Sequence, residues 1–277
     1  MLISAVELLK QSLNLYKNNF VTIIKFLALL TIPTAIDIAI GFTNVTIIIV
    51  VVSIITRIIY FWIIFSILRT INFICKKEKV GDIKTALKDT YKILWKGIGT
   101  SLLVGLFTFA LLLLFLIPLF FTGGFSDPRI LAAVMFGPLF ISTINIYDPM
   151  SMLVLGMFVV FVLGMINAIF FGIKLSFAVY ETVIADRPIK ESIKFSMAIT
   201  KDRWWTILWR FLLTAFVVSL VYALFAAPLS QIFGIGLLYN VFIQIVSLLL
   251  MPVAFAAATI LYEELKKLGP AQTEQKT

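Results

Sequence analysis

The chain has 277 residues, of which 61% are hydrophobic and 13% charged. A soluble domain holds about 45–50% apolar and about 25% charged residues, so a soluble protein is excluded and a polytopic membrane protein is expected. The formal charge is +9, histidine is absent and Cys75 is the only cysteine, which excludes an internal disulfide and histidine-based catalysis or metal binding.

In chain order, residues 5–18 place Leu8, Leu9, Ser12, Leu15 and Tyr16 on one side of a helix, with Lys10, Asn14 and Lys17 on the other. This opening is amphipathic and reads as no cleavable signal. A first span is expected at about residues 21–40, the length that crosses a bilayer core, with Asp37 near its end. A turn at 41–44 leads to a second span at about 45–68, with Arg57 near its middle. Next comes the basic loop CKKEKVGDIKTALKDTYKILWK. Asp82 is an N-cap for a helix from Ile83. Lys84, Lys88, Lys92 and Lys96 then form one stripe at i, i+4 spacing, the pattern of a helix lying on a membrane surface.

The third span is expected at about 98–121, followed by the turn signal FTGGFSDPR. Residues 130–146 are apolar but broken by Gly137 and Pro138. They read as re-entrant, surface-lying, or a seventh span; a seventh span would put the later basic loops opposite the earlier ones. The fourth span, about 150–180, carries Gly164, Ala168, Gly172 and Ser176 four apart, a stripe that admits a close helix neighbour. Lys174 lies near its inner end.

Residues 181–205 form a charged island between apolar runs. Pro188 suits the first position of a helix. Ile189, Ile193, Met197 and Ile199 lean to one side of it, and Lys190, Lys194 and Lys201 to another. Trp204 and Trp205 then mark the return to the membrane as an interfacial anchor. The alternative is a solvated loop. A fifth span is expected at about 206–227, ending at Pro228, and a sixth at about 237–261, with a polar tail at 266–277.

Six spans put both termini on one side, together with nearly all Lys and Arg; Arg129 is the exception. The positive-inside rule makes that side cytoplasmic and accounts for the basic charge without nucleic acid. The expected location is the cell membrane.

Three segments align without gaps, from Leu8, Ala86 and Ser192. Lys10, Lys88 and Lys194 coincide, as do Ser12, Thr90 and Ser196, and Thr22, Thr100 and Thr206. Tyr180-Glu181 and Tyr262-Glu263 correspond at the ends of the last two units. The expected architecture is all-α: about six transmembrane helices in three hairpins, each preceded by an amphipathic interfacial helix. The pseudo-repeats fall at about 5–74, 82–181 and 188–265 of a single membrane domain.

An acidic residue ending a span, a hydroxyl residue on the next helix and an aromatic pair opening the next span are here Glu181, Ser196 and Trp204-Trp205. With the opening AVELLKQSLNLYKNNFVTII, this pattern resembles the membrane domain attached to some glycerophosphoryl diester phosphodiesterases and its uncharacterised bacterial and archaeal relatives. The resemblance implies the six-helix fold. Phe195 departs from the basic residue common there, and the catalytic domain is absent.

The remaining chemistry is sparse. Asp37, Asp127, Asp148, Glu181 and Glu263 are scattered, and there is no Gly-rich phosphate loop. The sequence implies no enzyme, no cofactor and no metal. The expected role is a non-enzymatic protein that organises lipid, anionic lipid above all, or an unidentified protein partner at the inner leaflet. Its candidate contacts are Lys84, Lys88, Lys92, Lys96, Lys190, Lys194, Lys201, Trp204 and Trp205. The alternative is a transporter for a small solute or peptide with an intramembrane polar site of Arg57, Asp37 and Lys174, since charge within a bilayer usually faces a partner or a wet cavity. Against that, Arg57 reads as a packed or snorkelling side chain. Glu181 and Glu263, on the cytoplasmic side, are expected to pair with basic residues of the surface helices.

Overall fold

The computed structural model describes residues 2–40, 46–78, 81–121, 149–234 and 236–269. The expected turn at 41–44, the segment 130–146, Asp127, Arg129, Asp148 and the tail from 270 lie outside the described residues, as does the side chain of Asp37. All regular structure among the described residues is helical. The helices are α1 (Ala5–Asn18), α2 (Phe20–Ile40), α3 (Thr46–Cys75), α4 (Ile83–Tyr91), α5 (Leu94–Phe121), α6 (Pro149–Ala185), α7 (Ile189–Thr200), α8 (Trp204–Phe233) and α9 (Leu237–Leu268). Four are long and apolar enough to cross a membrane, and six spans result if α1 with α2 and α4 with α5 each count as one bent span.

Local chemistry sets the ends of the short helices. Ser4 caps α1 by accepting from the Glu7 backbone N–H at 3.2 Å, the Ser-x-x-Glu pattern of a helix start. At the other end the Asn19 backbone N–H and side-chain amide both donate to the Leu15 carbonyl. The chain then bends by 83° into α2. Asp82 caps α4 as expected, accepting from Ile83 N–H at 2.8 Å. Pro188 caps α7 and is not its first helical residue. Asp186 takes the turn before it, at φ 53°.

The bend between α4 and α5 is 65°, and it corrects the lysine stripe. Lys84 and Lys88 lie on α4, Lys92 in the turn and Lys96 in the first turn of α5. The helix breaks because Ile93 and Leu94 turn inward, at 3% and 2% exposure, into a core with Phe65, Leu68 and Val183. Burial of that pair outweighs continuation of the surface helix.

Pro228 does not end the fifth span; α8 runs through it to Phe233. In an apolar surrounding a helix keeps its other backbone groups bonded, so one missing N–H costs less than ending the helix. Likewise α3 continues to Cys75, past the expected end at 68, which moves Arg57 into the first half of the span.

The chain forms two compact units, Met1–Thr100 with Phe177–Thr277, and Ser101–Ser176. In the first unit, α9 packs against α8, α1 and α3, and α2 against α3. Ile23, Phe26, Leu27 and Leu30 of α2 meet Ile63, Ile67 and Ile71 of α3 and Ala256 of α9 in its main core. The apolar residues that face outward, such as Leu212, Phe216 and Leu224 of α8, suit lipid rather than water. In the second unit Phe107 meets Phe171 edge-on at 5.6 Å. A Cβ on Gly172 would stand 3.9 Å from Thr108, so this member of the small-residue stripe lies beside α5.

The three aligned segments agree in burial at two of their shared positions and differ at the third, where Thr22 is half-buried, Thr100 buried and Thr206 exposed. Ser12, Thr90 and Ser196 are each 0% exposed, while Lys10, Lys88 and Lys194 are exposed. Ser12 and Thr90 each donate to the carbonyl four residues back at 2.7 Å, which lets a small polar side chain be buried at little cost.

Candidate functional site

The first unit gathers its charge where α3, α6 and α9 end and α5 and α8 begin. Glu181, expected at the surface, is 0% exposed. Its Oε2 accepts the Tyr262 hydroxyl, and Arg187 Nε stands 2.9 Å from Oε1. The latter contact is an ion pair off hydrogen-bond alignment, since Oε1 has no hydrogen-bond donor. Arg187 also lies over the Phe195 ring, 4.8 Å from its centroid. Tyr262 is packed against Phe177 and Tyr180, and Phe177 stacks on Phe211 of α8. Nearby, the Thr100 and Thr182 hydroxyls share a hydrogen bond of 3.0 Å. A buried carboxylate is costly unless paired. This one is held by a phenol from α9 and a guanidinium from the α6–α7 turn, and so joins segments distant in sequence.

Two further ion pairs close the same end. Lys76 Nζ lies 3.5 Å from Glu263 Oε1, tying α3 to α9, and Lys96 Nζ lies 2.7 Å from Asp186 Oδ1, tying α5 to the α6–α7 turn. Glu181 and Glu263 do pair with basic residues, but Arg187 lies in the α6–α7 turn and Lys76 just past α3, and neither is on the surface helices where the partners were expected, while Lys96 is engaged within the protein.

Arg210 is a site residue that the sequence reading missed. It lies two turns into α8 and is 7% exposed. Its Nε donates to the Ile3 carbonyl at 2.7 Å, its Nη2 to the Leu2 carbonyl at 3.1 Å, and its Nη1 to the Thr206 carbonyl at 2.8 Å. The Ile3 N–H in turn donates to Glu264 Oε2 at 3.0 Å. The chain start is therefore clamped between α8 and α9. Its only signal in the sequence is a charge placed inside an otherwise apolar run.

The remaining candidates are spread out. Lys84, Lys88, Lys190, Lys194 and Lys201 are exposed and make no ion pair with any described residue. Lys92 pairs with Asp89 at 3.6 Å, with 71% of its side chain exposed. Helix α4 is pinned from behind: Trp62 Nε1 donates to the Leu87 carbonyl and Arg69 Nη1 to the Asp89 carbonyl. Tyr91 and Trp95 stay exposed beside its lysines. Trp204 and Trp205 meet edge-on at 5.2 Å, and Trp205 and Trp209 face outward. Arg57 is exposed on α3, and Lys174, in the second unit, sits 4.1 Å over the Phe170 ring. Among the described residues no group of three or more Cys, Asp or Glu could hold a metal ion.

Compared with protein-family models, curated proteins and solved structures, the chain matches none of them.

Proposed function

We propose that the chain is a non-enzymatic multi-pass protein of the cell membrane that gathers anionic lipid at the inner leaflet, with both termini cytoplasmic. The observation that carries this reading is α4. Its apolar residues Ile83, Ala86 and Leu87 pack on the helical core, and Lys84 and Lys88 point away from it beside exposed Tyr91 and Trp95. A helix held this way presents cations and interfacial aromatic rings together, which is what a headgroup layer meets. Each such lysine adds about 1 kcal/mol near an anionic surface.

The threefold plan, and the resemblance to the phosphodiesterase-associated membrane domain, belong to the same proposal. The shared burial of Ser12, Thr90 and Ser196 supports the threefold plan. On this plan α1, α4 and α7 repeat one interfacial element, and Lys190, Lys194 and Lys201 extend the basic face.

The test is native mass spectrometry of the detergent-solubilised protein with phosphatidylglycerol. The triple variant Lys84→Gln, Lys88→Gln, Lys92→Gln should retain at least about tenfold less of it, the expected scale for three lost contacts after screening by salt. Unchanged retention would overturn the reading.

A further inference from the structure

A cleft of about 340 Å³ opens between α1, the end of α3 and the end of α9, at the small end of the ligand-site range of about 300–1,000 Å³. Its polar lining divides by chemistry. Lys77 and Lys267 line it as exposed cations, and neither makes an ion pair with a described residue. Gln11, Asn19, Glu263 and Glu264 line it as acceptors, and Glu264 Oε2 already accepts from the Ile3 N–H. Gln11 donates its amide N–H to Glu7 Oε1 at 3.2 Å, and Asn19 donates to the Leu15 carbonyl at 3.0 Å. Neither side-chain carbonyl receives a donor from the described residues. Glu263 Oε1 is buried with no hydrogen-bond donor, and its ion-pair partner Lys76 stands off at 3.5 Å. The cleft therefore offers two cations without a counter-ion among the described residues, two amide oxygens without a donor, and in Glu263 a carboxylate oxygen held by an ion pair alone.

The backbone at Lys77 points the same way. Its φ is 57°, and the bonds Lys77 N–H to the Ile74 carbonyl and Glu78 N–H to the Phe73 carbonyl close the end of α3. This is a Schellman ending, whose left-handed position is ordinarily glycine. A lysine kept in that conformation is a strained residue, and such residues cluster at ligand sites.

We propose that this cleft binds the headgroup of a phospholipid that carries a primary ammonium beside its phosphate. The phosphate lies on Lys77 and Lys267, and the ammonium donates to the oxygens of Gln11, Asn19 and Glu263. A choline group has no N–H to donate, and a glycerol headgroup has no cation for the carboxylate, so both bind less well. The same chemistry exists in free phosphoethanolamine. The proposal rests on the membrane-lipid reading above but uses none of the α4 lysines, so the two fail separately.

The experiment is native mass spectrometry of the full-length protein in detergent, given equal amounts of dioleoyl phosphatidylethanolamine, phosphatidylcholine and phosphatidylglycerol. It is read in the Lys84→Gln, Lys88→Gln, Lys92→Gln background, which removes the α4 surface from the count. One phosphatidylethanolamine should be retained at least about tenfold over the others. Lys77→Gly should lower that retention by about tenfold without lowering the melting temperature, because glycine suits the position. Glu263→Gln should collapse the preference for phosphatidylethanolamine over phosphatidylglycerol. Displacement by millimolar phosphoethanolamine would assign the site to a free solute, and no displacement to the lipid; either keeps the headgroup chemistry. Equal retention of the three lipids, or retention unchanged by Lys77→Gly, would overturn the proposal.

Discussion

Gly97 sits where a side chain has no room. A Cβ there would lie 2.5 Å from Phe65 Cε2, and Phe65 is only 2% exposed, so the ring cannot swing away. Gly97→Ala should destabilise the protein by about 1–3 kcal/mol, the cost of overpacking, seen as a lower melting temperature in detergent. An unchanged value would mean that the contact relaxes freely. Glu181 makes the opposite point, since its environment has to supply what burial removes. Tyr262→Phe and Arg187→Met should each cost about 1–3 kcal/mol by leaving a buried acceptor short of a partner. In a double-mutant cycle the two should couple, because both act on one carboxylate; strictly additive losses would count against a shared site. Lys77→Gly should gain up to about 1 kcal/mol by relieving a left-handed lysine. These residues were unevenly legible. Glu181 stood out as an acidic residue ending a span, but its burial depends on Tyr262, which is 81 positions away. Nothing local to Gly97 announces Phe65.

At the scale of elements, α1 has only 14 residues, a length at which an isolated helix is marginal in water. Its caps at Ser4 and Asn19 define where it starts and stops, while its bounds were legible from the spacing of its apolar residues. Its place on the bundle is decided by Leu8, which is fully buried, and by the Arg210 clamp on Leu2 and Ile3. Arg210→Met should loosen this helix. Hydrogen exchange at Leu8 to Leu15 should quicken while exchange in α9 stays slow. Equal rates in the variant and the native chain would show that Leu8 and its neighbours hold α1 without the clamp. The lysine stripe shows where periodicity misleads. The i, i+4 spacing from Lys84 to Lys96 is regular, yet Ile93 and Leu94 are drawn into the core and the helix bends between the second and fourth lysines. A surface pattern describes one side of a helix. It does not reveal that the other side has found a better partner one turn further on.

For the whole molecule, the proposed arrangement puts the N-terminal helix, α4 and α7 on one side of the membrane. Single cysteines at Gln11, Lys88 and Lys190, in a Cys75→Ser background, should all be shielded from an impermeant maleimide in intact cells and labelled after lysis. Labelling of any one of them in intact cells would break the common orientation and the cytoplasmic assignment with it.

Composition alone determined that this chain belongs in a membrane, because a 61% hydrophobic sequence has no other way to cover its surface. The lengths of the apolar runs set the kind of helices, since the bilayer has a fixed thickness and unpaired backbone groups are costly inside it. Caps and short-helix starts were likewise local, decided by side chains within a few residues. Tertiary structure alone decided which charges are spent inside the protein. Lys96 and Arg187 look in sequence like the charges around them, and Arg210 shows only as a charge in an apolar run, yet they meet Asp186, Glu181 and the Leu2–Ile3 backbone. The fate of a charge depends on which polar group packing brings within about 4 Å, and that group is set by helix contacts far apart along the chain.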